Sequence, residues 1–357
     1  MKDTQMDFSK IKNLIDQEVE NGTLPGAVLA VTTNNSVPFI YSAGYAHKEK
    51  EIKVTEETLF DLASLTKVTS TLPAILLLLE AGEIDLDDPV FYYIPSFKEK
   101  NDDITIKHLL THTSGYQPEI KFYERNLTVD EAVLEIAGIT SKKPAGSEVI
   151  YSDLNYITLG YLIEQVSGMS LNEFTNDKIY MPLGMQNTFF NPPDHMKKQT
   201  AATEFRDELN DYQWGSVHDE NADHFNGVSG HAGLFSTVND LAKFCQLFLN
   251  RGTYHGKRLW SPMTVDVAAH CYTDDLNLSR GLGWQLYSTG VFSGQYLQNG
   301  YGHTGFTGTS MWISPDKNLA IVLLTNRVHY GRETNINSFR RKLHNRIAIT
   351  MEEAGVI

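Results

Sequence analysis

The two ends of this chain mirror one another, and no other feature narrows its possible folds as far. Near the start, Phe8, Ile11, Leu14, Ile15 and Val19 recur at helical spacing up to Asn21-Gly22. Two β-rich runs follow, Gly26 to Thr33 and Val37 to Ala46, with Asn34-Asn35-Ser36 between them as a hairpin turn. Near the finish the order is reversed: Gly308 to Ile313, a turn at Ser314-Pro315-Asp316-Lys317-Asn318, Leu319 to Thr325, and a last helix from about Asn337 to Glu353. The ends are expected to share one sheet with the terminal helices on it.

Between them the pattern is mostly helical: Leu72 to Leu79, Ile106 to Leu110, Val129 to Ala137, Tyr156 to Val166, a capping box at Ser170-x-x-Glu173, Leu241 to Leu249, and an N-cap at Ser261 with Pro262 in the first helical position. Residues 1–63 and 280–357 therefore read as one discontinuous α/β domain, and residues 64–279 as a mostly helical domain inserted into it. A chain of 357 residues suits two domains at roughly 150 residues each. The fold class expected is α/β (α+β), an antiparallel sheet flanked by N- and C-terminal helices with a helical insertion. The cleft between the two parts is the natural place for a site.

Thirty Lys and Arg against 44 Asp and Glu leave a formal charge of −14, which repels phosphate backbones and anionic headgroups, so nucleic acid is not an expected partner. Cys245, in an apolar helical run, and Cys271 are expected to be free thiols. No stretch reaches roughly 18 uninterrupted apolar residues, so no membrane span is expected. Met1 to Phe8 has no apolar core, which reads as cytoplasmic for the chain as written and extracytoplasmic if a leader was removed. Asn126-Leu127-Thr128 fits a glycosylation acceptor, although nothing else points to a eukaryotic secretory route. There is no phosphate-cradling glycine loop, and no cofactor is expected. His108 and His112 have the spacing of a zinc pair but no third ligand, which favours a helix-end role over a metal. His218-Asp219-Glu220-Asn221 and His231 form a second polar cluster, either an ion site or a cleft wall, and Gly227, Gly230 and Gly233 suggest a loop folded tightly against something.

A serine hydroxyl becomes a nucleophile when a base takes its proton, and a Lys three residues on along a helix lies on the same face. Ser-x-x-Lys occurs three times, at Ser9/Lys12, Ser64/Lys67 and Ser314/Lys317. The first lies in a terminal helix and the last in a hairpin turn, both solvent-facing. Ser64 follows Leu59-Phe60-Asp61-Leu62-Ala63 and opens a helix too apolar to be exposed, so its hydroxyl is expected at a helix N-terminus, where free N–H groups favour an attacked carbonyl oxygen. Partial desolvation of Lys67 there would lower its pKa toward that of a useful base. Two further elements offer chemistry. Tyr151-Ser152-Asp153 presents a phenol and a carboxylate from a loop, and His303-Thr304-Gly305 leads into the last hairpin with glycines that let a ligand approach the backbone.

In this order, Ser-x-x-Lys, Tyr-x-Asp and His-Thr-Gly resemble the active-site elements of the serine β-lactamase and penicillin-binding protein superfamily, whose class A members carry Ser-x-x-Lys, Ser-Asp-Asn and Lys-Thr-Gly. The chain is more similar to the class C branch with its Tyr-x-Asn, and to related esterases and D-Ala-D-Ala carboxypeptidases. Leu109 to Gly115, Tyr151 to Tyr156 and Gly230 to Thr237 extend the likeness, which covers about residues 10 to 350. The resemblance implies Ser64 as the acylated nucleophile, with Lys67 and Tyr151 sharing the proton work. It implies an oxyanion hole from the backbone N–H groups of Ser64 and Phe306, and substrate contacts from Asp153, His303, Thr304, Gly305 and Phe306.

Two departures bear on substrate. His303 stands where the third element usually has Lys. With an ordinary pKa near 6.5 it reduces fixed positive charge, so binding of an anionic substrate is expected to weaken as pH rises. Asp153 stands where Asn is usual; it either contacts Lys67 and raises the amine's pKa, leaving more of the base role to Tyr151, or turns away to cap the following helix. These changes favour a D-Ala-D-Ala carboxypeptidase or esterase acting on a small-molecule or peptide substrate. A class C-like β-lactamase and a slowly hydrolysing penicillin-binding sensor or binding protein are the alternatives.

Overall fold

The computed structural model describes residues 6–141, 143–287 and 292–357. In chain order its principal elements are helix α1 (Ser9–Glu20), strands β1 (Gly26–Thr32), β2 (Phe39–His47) and β3 (Ile52–Lys53), helices α2 (Leu72–Ala81), α3 (Asp153–Ser167) and α4 (Val238–Leu249), strands β4 (Gln285–Leu286), β5 (Tyr301–Thr304), β6 (Ser310–Ser314) and β7 (Leu319–Thr325), and helix α5 (Asn337–Glu353). The seven strands make one antiparallel sheet in the order β4-β5-β6-β7-β1-β2-β3. The first and last hairpins thus meet at its centre, where Ala27 pairs with Thr325 and Thr32 with Ala320.

Strand β1 is buried on both faces. Its alternate side chains divide between two cores, as a period of two requires. Ala27, Leu29 and Val31 join Ile11 and Ile15 of α1 and Phe339, Leu343 and Ile347 of α5. Val28 and Ala30 belong with Phe244, Cys245 and Phe248 of α4 on the other face. Each fully buried Leu, Ile or Val contributes about 2 kcal/mol, so the two clusters hold the sheet between helical layers. Both cysteine thiols are free, and burial pushes that of Cys245 up.

Helices are the principal regular structure between β3 and β4, joined by long loops and interrupted by short strands. Leu234–Ser236 pairs with Phe60–Asp61 and with Phe189–Phe190, which draws the Gly230–Gly233 loop behind Ser64. The segment Ala63–Ala81 is long and apolar enough to cross a membrane, with a mean hydropathy of 1.2, yet 78% of its window is buried within the protein and it serves as a core helix.

The start of that segment departs from the expected α-helical first turn. Ala63–Leu65 is a 3₁₀ turn, Lys67–Thr71 is a π-helical turn closed by the Leu72 N–H donating to Lys67 O, and only then does α2 begin. Pro73 explains part of this. It has no N–H to offer Thr69 O, and that carbonyl instead accepts from Tyr180 Oη at 3.1 Å.

Candidate active site

Ser64 is presented by a strained turn. Ala63 has φ +46°, a left-handed conformation that costs a residue with a Cβ about 1 kcal/mol. Asp61 holds it there: one carboxylate oxygen accepts from Ala63 N at 2.8 Å and the other from His218 N at 2.6 Å. Burial raises the Asp61 pKa, and these two N–H groups act against that rise.

One turn on, Lys67 is fully buried. Its Nζ donates to Ser64 Oγ at 3.1 Å and to His231 O at 3.1 Å, and lies 2.7 Å from Asp153 Oδ1. Burial alone would lower the amine's pKa, but the Asp153 carboxylate, with Tyr151 beside it, outweighs burial and raises it. The expectation of a Lys67 pKa lowered by desolvation is therefore corrected: the amine is an ammonium. Of the two roles open to Asp153, the contact with Lys67 is the one observed. Asp153 is the first residue of α3, and no side chain caps that helix at Ser152.

Tyr151 is carried on a loop tied down at several points. Ser152 N donates to His112 Nδ1 at 3.1 Å, Ser152 Oγ to Gln117 O at 2.6 Å, and Asp153 N to Pro118 O at 2.8 Å. The phenol ring thereby lies with its centroid 5.0 Å from Lys67 Nζ and 5.9 Å from that of His303. His112 is thus a support for this loop, while His108 closes a capping box with Thr105, so the pair does not converge on a metal.

The third element ends β5. A Cβ on Gly305 would lie 2.2 Å from Leu62 O, so only glycine lets this strand end approach the segment before Ser64. Thr307 Oγ1 donates to Asp61 O at 2.7 Å and Thr309 Oγ1 to Leu62 O at 3.0 Å, clamping the turn onto that segment. Among the described residues, the backbone N–H groups of Ser64 and Phe306 have no hydrogen-bond partner and can serve a developing oxyanion. Phe306 is 45% exposed, its ring flanked by the guanidinium groups of Arg327 at 4.9 Å and Arg332 at 5.8 Å.

His303 is buried, and its Nδ1–H donates to Thr304 O at 2.8 Å. Burial first, then the neighbouring charges of Arg280 and Lys67, push its pKa down to about 3. It is neutral throughout the physiological range. The expected loss of anion binding as His303 deprotonates near pH 6.5 is corrected accordingly, since there is no charge there to lose.

Ser64, Tyr151, His303, Thr304, Gly305 and Phe306 line one cleft of about 460 Å³, with Lys67 and Asp153 meeting behind Ser64. The other Ser-x-x-Lys pairs lie outside it; Ser314 Oγ, for example, donates to Asp316 within its turn. The polar cluster of residues 218–231 backs the site rather than forming a separate one. His231 Nε2 pairs with Asp219 at 2.8 Å, and Asp153, Asp219 and His231 surround the space where the Lys67 ammonium already supplies a cation. Four arginines, Arg280, Arg327, Arg332 and Arg340, also line the cleft and were not anticipated. The available signal was charge spacing: from Leu276 to Pro315 the only charged side chain is Arg280, in a chain otherwise rich in acid.

Comparison with known proteins gives the family. The family model described as Beta-lactamase matches residues 11–345. A Bacillus subtilis (strain 168) protein named N-acetylmuramyl-L-alanine amidase is 33% identical over 90% of this chain and 81% of its own length. A Salmonella paratyphi B protein assigned by name as a D-alanyl-D-alanine carboxypeptidase is 33% identical over 90% of this chain and 82% of its own. The crystal structure of a class C beta lactamase from Rhodobacter sphaeroides shares the fold, with a TM-score of 0.77, 22% identity, and coverage of 94% of this chain and 99% of that one. With a family model and relatives matching nearly its full length, the chain belongs to the serine β-lactamase and penicillin-binding protein family of hydrolases.

Proposed function

We propose that this protein cleaves amide or ester bonds through an acyl-enzyme on Ser64, acting by preference on a peptide ending in D-alanine or on a simple ester. The observation that carries the reading is the array of Ser64 Oγ, Lys67 Nζ and Asp153 Oδ1 joined by contacts of 3.1 and 2.7 Å at the floor of an open cleft. The Lys67 ammonium, held charged by Asp153, serves as a hydrogen-bond donor to Ser64 Oγ and is not itself the base. The Ser64 proton then passes to the phenolate oxygen of Tyr151, the form this side chain must take as base after giving its own proton to solvent, as Oγ forms its bond to the substrate carbonyl carbon. The oxyanion is taken by the Ser64 and Phe306 N–H groups. Collapse of the tetrahedral intermediate breaks the bond to the leaving amine or alcohol, which receives the proton from Tyr151, and water reverses the sequence to release the acid. The names of the amidase and carboxypeptidase relatives support an amide substrate.

The test is a turnover panel of p-nitrophenyl acetate, a chromogenic cephalosporin and diacetyl-Lys-D-Ala-D-Ala, run beside Ser64→Ala. Peptide or ester turnover is expected, with loss of about 1000-fold or more in the variant. Rapid cephalosporin hydrolysis without peptide or ester turnover would put β-lactamase first. Activity that survives Ser64→Ala would end the acyl-enzyme reading.

A further inference from the structure

His47, at the end of β2, and His329, in the turn Arg327–Tyr330 after β7, meet edge to face with ring centroids 5.4 Å apart. Both are buried, His47 to 1% exposure and His329 to 4%. Glu49 reaches them from the turn between β2 and β3, and its Oε2 stands 2.8 Å from His329 Nε2 and 3.4 Å from His47 Nδ1. The three atoms lie within 4.8 Å of one another, and none of these residues lines the cleft around Ser64.

Hydrogen bonding leaves this group one cation short. His329 Nδ1 faces Thr203 O at 3.1 Å while Nε2 faces Glu49, and a neutral ring with one N–H can serve only one of those oxygens. The Lys48 N–H donates to Nε2 at 3.3 Å, which places the ring proton on Nδ1 and aims the Nε2 lone pair at the carboxylate. His47 Nδ1 is buried with no hydrogen-bond partner. Burial holds both imidazoles below their ordinary pKa, so neither supplies the missing charge. Nor is any Lys or Arg within ion-pair distance of Glu49 among the described residues.

Outer contacts fix the orientation of all three groups, as they do around a bound metal. Tyr212 Oη donates to Glu49 Oε1 at 2.8 Å, the Tyr212 ring stacks on His329 at 4.1 Å, and Trp214 packs edge-on to His47 at 5.0 Å. We propose that His47 Nδ1, His329 Nε2 and Glu49 Oε2 bind one divalent transition-metal ion of the zinc class, with water completing its coordination. The ion staples the turn between β2 and β3 to the turn that carries Arg327 into the cleft. With metal–ligand bonds of about 2.0–2.1 Å, the two separations from Oε2 correspond to angles of about 85° and 110°. Two imidazoles and one carboxylate suit zinc, whereas Mg²⁺ and Ca²⁺ take oxygen ligands. Lys50 competes, its Nζ 3.0 Å from His47 Nε2, but it also lies 3.4 Å from both oxygens of Asp211. When the metal takes Nδ1, the His47 proton sits on Nε2 and Lys50 turns to Asp211.

The experiment titrates ZnCl₂ into the EDTA-treated full chain by calorimetry, with MgCl₂ as the control and Tm as a second readout. The wild type is expected to bind one zinc per chain and to gain about 3 °C or more at saturation, with no response to magnesium. Glu49→Ala and His329→Gln should each weaken zinc binding by about 100-fold or more. Glu49 is half-exposed, so its variant keeps the test decisive if His329→Gln fails to fold. No zinc binding by the wild type, zinc held as tightly by Glu49→Ala as by the wild type, or an equal response to magnesium overturns the proposal. None of these readouts uses turnover, so the reading of Ser64 as nucleophile stands or falls separately.

Discussion

Lys67 has no solvent to keep it charged, so its ionic state depends on one carboxylate. Asp153→Asn leaves the ammonium buried with only His231 O and Ser64 Oγ as partners, and breaking such a pair costs about 3 kcal/mol. The folded pKa of Lys67 lies above its unfolded value of 10.5, so this stabilisation is fully present below pH 10.5 and disappears only above it. Urea denaturation should therefore show the variant about 3 kcal/mol less stable at pH 6, with the difference narrowing at pH 9 because the variant's folded chain sheds the Lys67 proton there while the wild type keeps it. With burial no longer opposed, the variant's Lys67 pKa should fall, and its kcat/KM should show an ionisation between about pH 7 and 10 that is absent from the wild type. That Ser64, Lys67 and Tyr151 come together was legible because the three elements, read in order, resemble those of one family, while the spacing of Ser-x-x-Lys alone could not choose among three pairs. The four arginines that line the cleft were not, because Arg280 and the segment from Arg327 to Arg340 are far apart in sequence and meet around Ser64 only when the chain packs.

At the level of elements, the loop Ser229–Gly233 is what supplies Lys67 with its carbonyl, and it reaches that position by lying directly on α3. A Cβ at Gly230 would fall 2.0 Å from Tyr156 O and 2.9 Å from Gly160 N, both backbone atoms that cannot turn aside. Gly230→Ala must therefore lift the loop, pulling His231 O from Lys67 and Gly230 O from Thr71 Oγ1, which now donates to it at 2.6 Å. A fall of about 100-fold in kcat/KM on p-nitrophenyl acetate together with a lower Tm is expected, the first from displaced Lys67 and the second from lost packing. The run of Gly227, Gly230 and Gly233 announced a tightly folded loop, since that much backbone freedom has few other uses, but not which helix it meets. Nor could periodicity distinguish the 3₁₀ and π turns around Ser64 from an ordinary helix. Segments of three and five residues are too short to display a period, and only Pro73 marked a break in the ladder.

For the molecule as a whole, the layers that were legible from mirrored hairpins and helices also bury histidines. His112 behind the Tyr151 loop, His303 on β5 and His344 on α5 are each no more than 4% exposed. Burial holds all three well below their usual pKa, with His303 and His344 down to about 3. Unfolding returns each to about 6.5, so the unfolded chain takes up protons that the folded one refuses. Each contribution to stability is present above pH 6.5 and is lost as pH falls toward 3. Between pH 7 and 5 the loss is about 2 kcal/mol for each of His303 and His344, a figure set by the unfolded pKa alone because their folded imidazoles are neutral at both pH values. Asp61, Glu164 and Asp223, whose pKa values are raised, run in the opposite sense and blur the total. A single replacement avoids that difficulty. His344 lies away from the cleft, its ring centroid 6.0 Å from that of Phe292. In His344→Leu the difference in unfolding free energy between pH 7 and pH 5, measured in urea, should shrink by about 2 kcal/mol. If the difference stays as large as in the wild type, His344 takes up its proton in the folded protein, and the core on that face of the sheet admits charge.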